Sequence, residues 1–110
     1  MGDKQALLPG TLELLILQAL REESLHGYGI AQRLKARSRA VLAVGESSLY
    51  PALQRLLRKG WVRAAWRESE TRRRARYYTL TARGRAALEA ERTTYERMAG
   101  AIARVLAWGR

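Results

Sequence analysis

Apolar positions along the 110 residues fall into blocks whose spacing changes from helical to alternating and back to helical. The first block, "LELLILQALREE", follows Pro9-Gly10-Thr11. Thr11 suits an N-cap, and Leu12, Leu15, Ile16, Ala19 and Leu20 recur on one helical face, which Leu14 and Leu17 widen. A helix apolar over so much of its circumference predicts burial on two sides, one of them a partner chain. "SLHGYG" turns the chain, and "YGIAQRLKARS" predicts a short second helix with Ile30, Ala31 and Leu34 inward. His26 is expected to shape the turn before it. After "RAVLAVG", a third helix is predicted through "ESSLYPALQRLLRK", ending at Gly60. At 100° per residue, Leu49, Ala52, Leu53 and Leu56 cluster on one side, opposite Ser47, Pro51, Gln54, Arg55 and Arg58. Pro51 is placed at or near the first turn, where its missing N–H costs little.

"WVRAAWRE" and "ARYYTL" alternate as strands, joined by an arginine-rich connection, with Trp61 and Trp66 expected to pack under the hairpin. From Thr81, a strong N-cap, a long helix is predicted to about Leu106, with Leu88, Tyr95 and Ile102 seven apart and Met98 and Val105 interleaved. So small a core cannot cover that seam, and its counterpart in a second subunit is the expected cover. The predicted dimer interface is therefore Leu14, Leu17, Leu88, Tyr95, Met98, Ile102 and Val105. Three short helices, a two-stranded hairpin and a further helix describe a winged helix-turn-helix. The fold class is mainly α with a small β-hairpin. Residues 7–80 form the DNA-binding domain and residues 81–107 a C-terminal dimerisation helix.

Lys and Arg number 21 against 10 acidic residues, a formal net charge of +11, which points to a polyanionic partner. A membrane span would need about 18 uninterrupted apolar residues. The best run, Ala6 to Leu20, is broken by Pro9, Thr11, Glu13 and Gln18, so neither a span nor a signal-peptide core is expected. Ala6 stands where a myristoylation signal would have Ser or Thr. There is no cysteine, one histidine (His26) and one aspartate (Asp3). Disulfides and thiolate sites are excluded, and one chain cannot assemble a Ser-His-Asp triad or a multi-histidine metal site. The expectation is a cytoplasmic protein with no catalytic residues, no metal and no cofactor.

In a winged helix-turn-helix the third helix enters the major groove while the wing tip reaches the neighbouring backbone. Arg72, Arg73, Arg74 and Arg76 lie at that tip, where they either contact DNA or keep a turn soluble. Together with Arg67, Arg55, Arg58 and Lys59 they favour double-stranded DNA as the partner. Ser47 and Ser48 either cap the third helix or offer hydroxyls to phosphate oxygens. Gln54 and Arg55 have the shape for bidentate contacts with adenine and guanine, or belong to an ordinary exposed face. Tyr28 and Tyr50 are expected to pack in part, with their hydroxyls toward DNA. Two rival readings are a winged-helix module that meets an acidic protein, and an architectural or RNA-binding protein with little sequence preference.

The segments "LLPGTLELLILQAL" from Leu7, "LHGYGIAQRL" from Leu25, "SLYPALQRLLRKGWV" from Ser48 and "RRARYYTLTARGRAAL" from Arg73 resemble the PadR family of bacterial transcriptional regulators, in its short type with a single C-terminal helix. The resemblance implies a homodimeric repressor that covers a palindromic promoter site, with the C-terminal helix and the first helix at the interface. It supports Tyr28, Ser48 and Tyr50 as DNA-facing and residues 72–76 as the wing. Ser47 stands where many relatives have Gly. Some relatives bind aromatic or drug-like molecules at the dimer interface, which implies a small-molecule effector as a further partner.

Overall fold

The computed structural model describes residues 10–110. Leu7 to Pro9 of the first motif, and Asp3, lie outside the described residues. The elements are α1 (Thr11–Ala19), β1 (Leu25–His26), α2 (Gly27–Arg37), α3 (Glu46–Lys59), β2 (Val62–Glu68), β3 (Arg74–Leu80) and α4 (Ala82–Ala107). α1–α3 pack around one core, and β2 and β3 form the antiparallel wing, with Val62 opposite Leu80 and Glu68 opposite Arg74. This is the winged helix-turn-helix that the order of elements predicts.

Local chemistry explains most boundaries. α3 stops at Gly60, whose φ of 75° is left-handed, while the Trp61 N–H donates to the Leu56 carbonyl and the Gly60 N–H to that of Leu57. Thr81 caps α4 by accepting from the Gly84 N–H at 3.0 Å, and its hydroxyl donates to the Gly60 carbonyl at 2.7 Å. That one side chain joins the end of α3 to the start of α4. Gly84 lets the two approach, since a Cβ there would lie 1.9 Å from the Trp61 carbonyl oxygen.

Three local expectations need correction. Thr11 is the first helical residue of α1, and the N-cap position belongs to Gly10, which supplies no side chain. Pro51 lies in the second turn of α3 instead of its first, so the Ser47 carbonyl lacks its i+4 donor on the exposed side of the helix. The sheet has three strands in the order β1-β3-β2, because Leu25 and His26 pair with Tyr78 and Tyr77. A two-residue strand carries too little alternation to be read from its sequence.

The core joins Ile16 and Leu17 of α1 and its C-cap Leu20, Ile30 and Leu34 of α2, Leu49, Leu53 and Leu56 of α3, Val62, Tyr78 and Leu80 of the sheet, and Leu88 of α4. Leu17 and Leu88 are 0% exposed within this single chain. Both are thus corrected from dimer-interface residues to core residues: the first two turns of α4 complete the core, and the inner face of α1 lies against it. Farther along α4 the described residues leave the seam open. Tyr95, Met98, Ile102 and Val105 are exposed at 47%, 58%, 46% and 65%. Leu14, of the same expected interface, is half-buried. The helix is about 39 Å long by its rise per residue, and its outer part projects from the body of the molecule.

Candidate nucleic-acid interface

α3 is amphipathic because Leu49, Ala52, Leu53 and Leu56 recur at helical spacing, and burying them turns Ser47, Pro51, Gln54 and Arg58 outward. Tyr50 is 44% exposed and Ser48 half-buried. The Tyr50 phenol rests on the first turn of α2, where a Cβ on Gly27 would meet its oxygen at 3.0 Å. α2 itself is capped by His26, whose Nδ1 accepts the Gly29 N–H at 3.0 Å, in line with the role expected of this histidine. Tyr28, one residue into the helix, stands 70% exposed.

Between α2 and the first turn of α3 runs a groove of ≈ 460 Å³ lined by Tyr28, Gln32, Lys35, Gly45, Glu46 and Tyr50 among others. It brings together both expected tyrosines. It also adds Gln32 and Lys35, which the sequence reading missed although they follow Tyr28 at i+4 and i+7 on one helical face. A second groove of ≈ 350 Å³ lies between α1 and α4, with Thr11, Leu14, Leu15, Leu42, Arg92 and Tyr95 on its walls.

Arg55 departs from its expected place. Its Nε donates to a Glu13 carboxylate oxygen at 2.6 Å, and Lys59 Nζ donates to the other at 2.7 Å. At 100° per residue Arg55 lies on the shoulder of α3 toward α1, so a carboxylate on α1 can reach it. Glu13 is the buried charged residue among the described ones, 9% exposed. Burial raises its carboxyl pKa, but the hydrogen bonds and charges of Lys59 and Arg55 outweigh that and hold it below its ordinary 4.5. Both expected base-reading residues are exposed, but Arg55 is fastened to Glu13 while Gln54 is in no ion pair.

The wing turns through Ser69–Arg73. The Ser69 N–H donates to the Arg73 carbonyl at 2.7 Å, and Arg72 takes a left-handed φ of 63°. Arg72 and Arg73 are in the turn itself, Arg74 opens β3, and Arg76 sits two residues inward, half-buried and opposite Trp66. The four arginines are therefore spread along the outer wing instead of gathered at its tip. Trp66 is corrected too: it is 59% exposed, because the hairpin extends past the helices that bury Val62 and Tyr78. Trp61, nearer the core, does pack against it. Burial pushes the Tyr78 phenol above its ordinary 10, against the opposing charge of Arg76, so it stays neutral near pH 7.

Residues 16–90 match the Transcriptional regulator PadR-like family. This chain belongs to that family. The PadR-like chain is similar to a solved PadR family transcription regulator from Clostridium difficile, with a TM-score of 0.74 and 26% identity over 88% of this chain and 99% of that one. It is also similar to Bacillus subtilis PadR in complex with operator DNA, with a TM-score of 0.63 and 29% identity over 72% of this chain and 46% of that one. Among curated proteins, an uncharacterised protein from Lysinibacillus sphaericus is 29% identical over 82 residues, 74% of this chain and 75% of the relative. The family resemblance read from the motifs and the winged-helix fold read from the element order are thereby both borne out. Among the described residues no helix is long and apolar enough to cross a membrane.

Proposed function

We propose that this PadR-like protein is a homodimeric, sequence-specific DNA-binding regulator of the cytoplasm, which represses transcription at a palindromic promoter site and catalyses no reaction. One observation carries the reading: the outward face of α3, which makes no core contact, is presented beside a wing whose arginines form no ion pair among the described residues. That the Bacillus subtilis relative was solved with operator DNA supports it.

Affinity then comes from Arg58, Arg72, Arg73, Arg74 and Arg76 on phosphates, with Tyr28, Ser47, Ser48 and Tyr50 completing the contact, while Gln54 reads base edges. Two α3 helices about one helical turn apart would match the two halves of a palindrome. The outer seam of α4, Tyr95, Met98, Ile102 and Val105, with Leu14 of α1 beside it, supports the dimer because that many exposed apolar side chains on one helix call for a partner. The α1–α4 groove adjoins the seam through Tyr95, and a small aromatic effector is proposed for it.

The test is fluorescence anisotropy on the chain's own upstream DNA and on a scrambled duplex across a salt series. Tighter binding to the upstream DNA at physiological salt is expected, and equal, steeply salt-dependent binding to both would favour the architectural reading. The dimer is tested by Ile102→Glu, which places a charge in the seam. Sedimentation should show a folded monomer with weakened DNA binding, and an unchanged dimer would place the interface elsewhere.

A further inference from the structure

Trp66 is a large apolar residue with no part in the core and no role in the function proposed above. Its surroundings are distinctive. The face of β2 and β3 that buries Val62, Tyr78 and Leu80 continues outward, by strand alternation, as Trp66, Arg76, Arg74 and Glu68, whose carboxylate forms no ion pair with Arg74 among the described residues. On this face the Arg74 guanidinium lies over the Trp66 ring, 5.6 Å from its centroid, and that of Arg76 over Tyr78 at 5.9 Å. On the opposite face Arg67 lies over Tyr77 at 3.9 Å, and Tyr77 in turn meets the His26 ring edge-on at 5.1 Å. Each stack joins a diagonal or adjacent same-face pair, where an aromatic ring and a long side chain reach one another.

A free arginine side chain loses conformational entropy when it binds a phosphate. An aromatic face can remove part of that freedom in advance without neutralising the charge, unlike a carboxylate. Tyr78 is buried and needs no reason beyond packing to be there. Trp66 is largely in water, so its place in the outer wing is not explained by core packing. We propose that Trp66 is a positioning residue for DNA binding: its indole holds the Arg74 guanidinium extended along the wing, ready for the sugar-phosphate backbone. The inference rests on the DNA-binding reading above and adds to it a residue that carries no charge.

The experiment is a double-mutant cycle of Trp66→Leu and Arg74→Ala in the full chain, read by anisotropy on one duplex over a salt series. W66L is expected to weaken binding about three- to tenfold and to lower the salt slope, since a phosphate contact is lost through Arg74. In the R74A background, W66L should change nothing further. W66F, which keeps a ring, should bind close to the wild type. Thermal unfolding should scarcely move, because the side chain is exposed, and Trp66→Thr, a ringless strand former, repeats the test if Leu disturbs the hairpin. Wild-type affinity in W66L and W66T, or a loss additive with R74A at unchanged salt slope, overturns the positioning role while leaving the DNA-binding reading intact. No binding of the wild-type protein to any duplex would overturn both.

Discussion

α3 and the wing are both rich in cations, and cation–ring contacts occur in both, since Lys59 lies 4.6 Å from the centroid of the Trp61 ring. Yet of the two α3 alone pairs its cations with a carboxylate among the described residues. On the shoulder of α3, Arg55 and Lys59 converge on one carboxylate, Glu13, so two positive charges are partly cancelled and fastened to α1. On the wing, Arg67, Arg74 and Arg76 lie on aromatic rings and keep their full charge. The formal charge of +11 therefore overstates what α3 offers a polyanion and describes the wing more fairly. Under the proposed function, α3 would then supply anchoring and base reading, and the wing the electrostatic share of affinity.

The largest effect should come from the wing. Replacing Arg73 and Arg74 by Ala is expected to weaken binding to every duplex by about ten- to a hundredfold near physiological salt and to flatten the salt dependence. Anisotropy on the cognate and scrambled sequences measures both. A loss confined to the cognate site would reverse the division between wing and helix. Next in size, Gln54→Ala should cost about 1–3 kcal/mol at the cognate site and little at the scrambled one. Arg55→Ala serves as its counterpart, and with its guanidinium on Glu13 it should leave base preference unaltered. A shift in preference for R55A would show that the guanidinium exchanges Glu13 for a base when DNA binds.

How far these roles could be read from the sequence depends on the range of the forces that set them. α3 was legible to the residue, because a helical period, an acidic first turn and a terminal glycine all act locally. The cap at Thr81 and the alternation of β2 and β3 were legible for the same reason. Leu88 was misread because a heptad spacing looks the same whether its turns face the chain's own core or a partner, and only the close approach of α4, at Gly84, to Trp61 decides. Trp66 was misread because alternation says which face a residue takes and not how far that face stays covered. The ion pair of Arg55 was not legible because its partner lies 42 residues away on another helix.

That distant partner supplies the smallest effect and the one most specific to the comparison. Glu13 titrates below its ordinary 4.5 in the folded chain, so its ion cluster contributes fully above that value and is lost as pH falls through the lower, folded-state value. Both cations are nearly half exposed, at 46% and 43% of their side chains, so solvent screening limits the contribution to about 1 kcal/mol. Glu13→Gln should accordingly lower stability to urea at pH 7 by about that amount, and the gap to the wild type should close as the pH falls through the lowered pKa of the folded carboxyl. The same substitution releases Arg55 and Lys59, and non-specific affinity for DNA should rise slightly. A carboxylate that served only to anchor α3 would give the stability change without the gain in affinity. If E13Q instead lost DNA binding at unchanged stability, Glu13 would be orienting Arg55 for DNA, and α3 would share with the wing the device of positioning its cations.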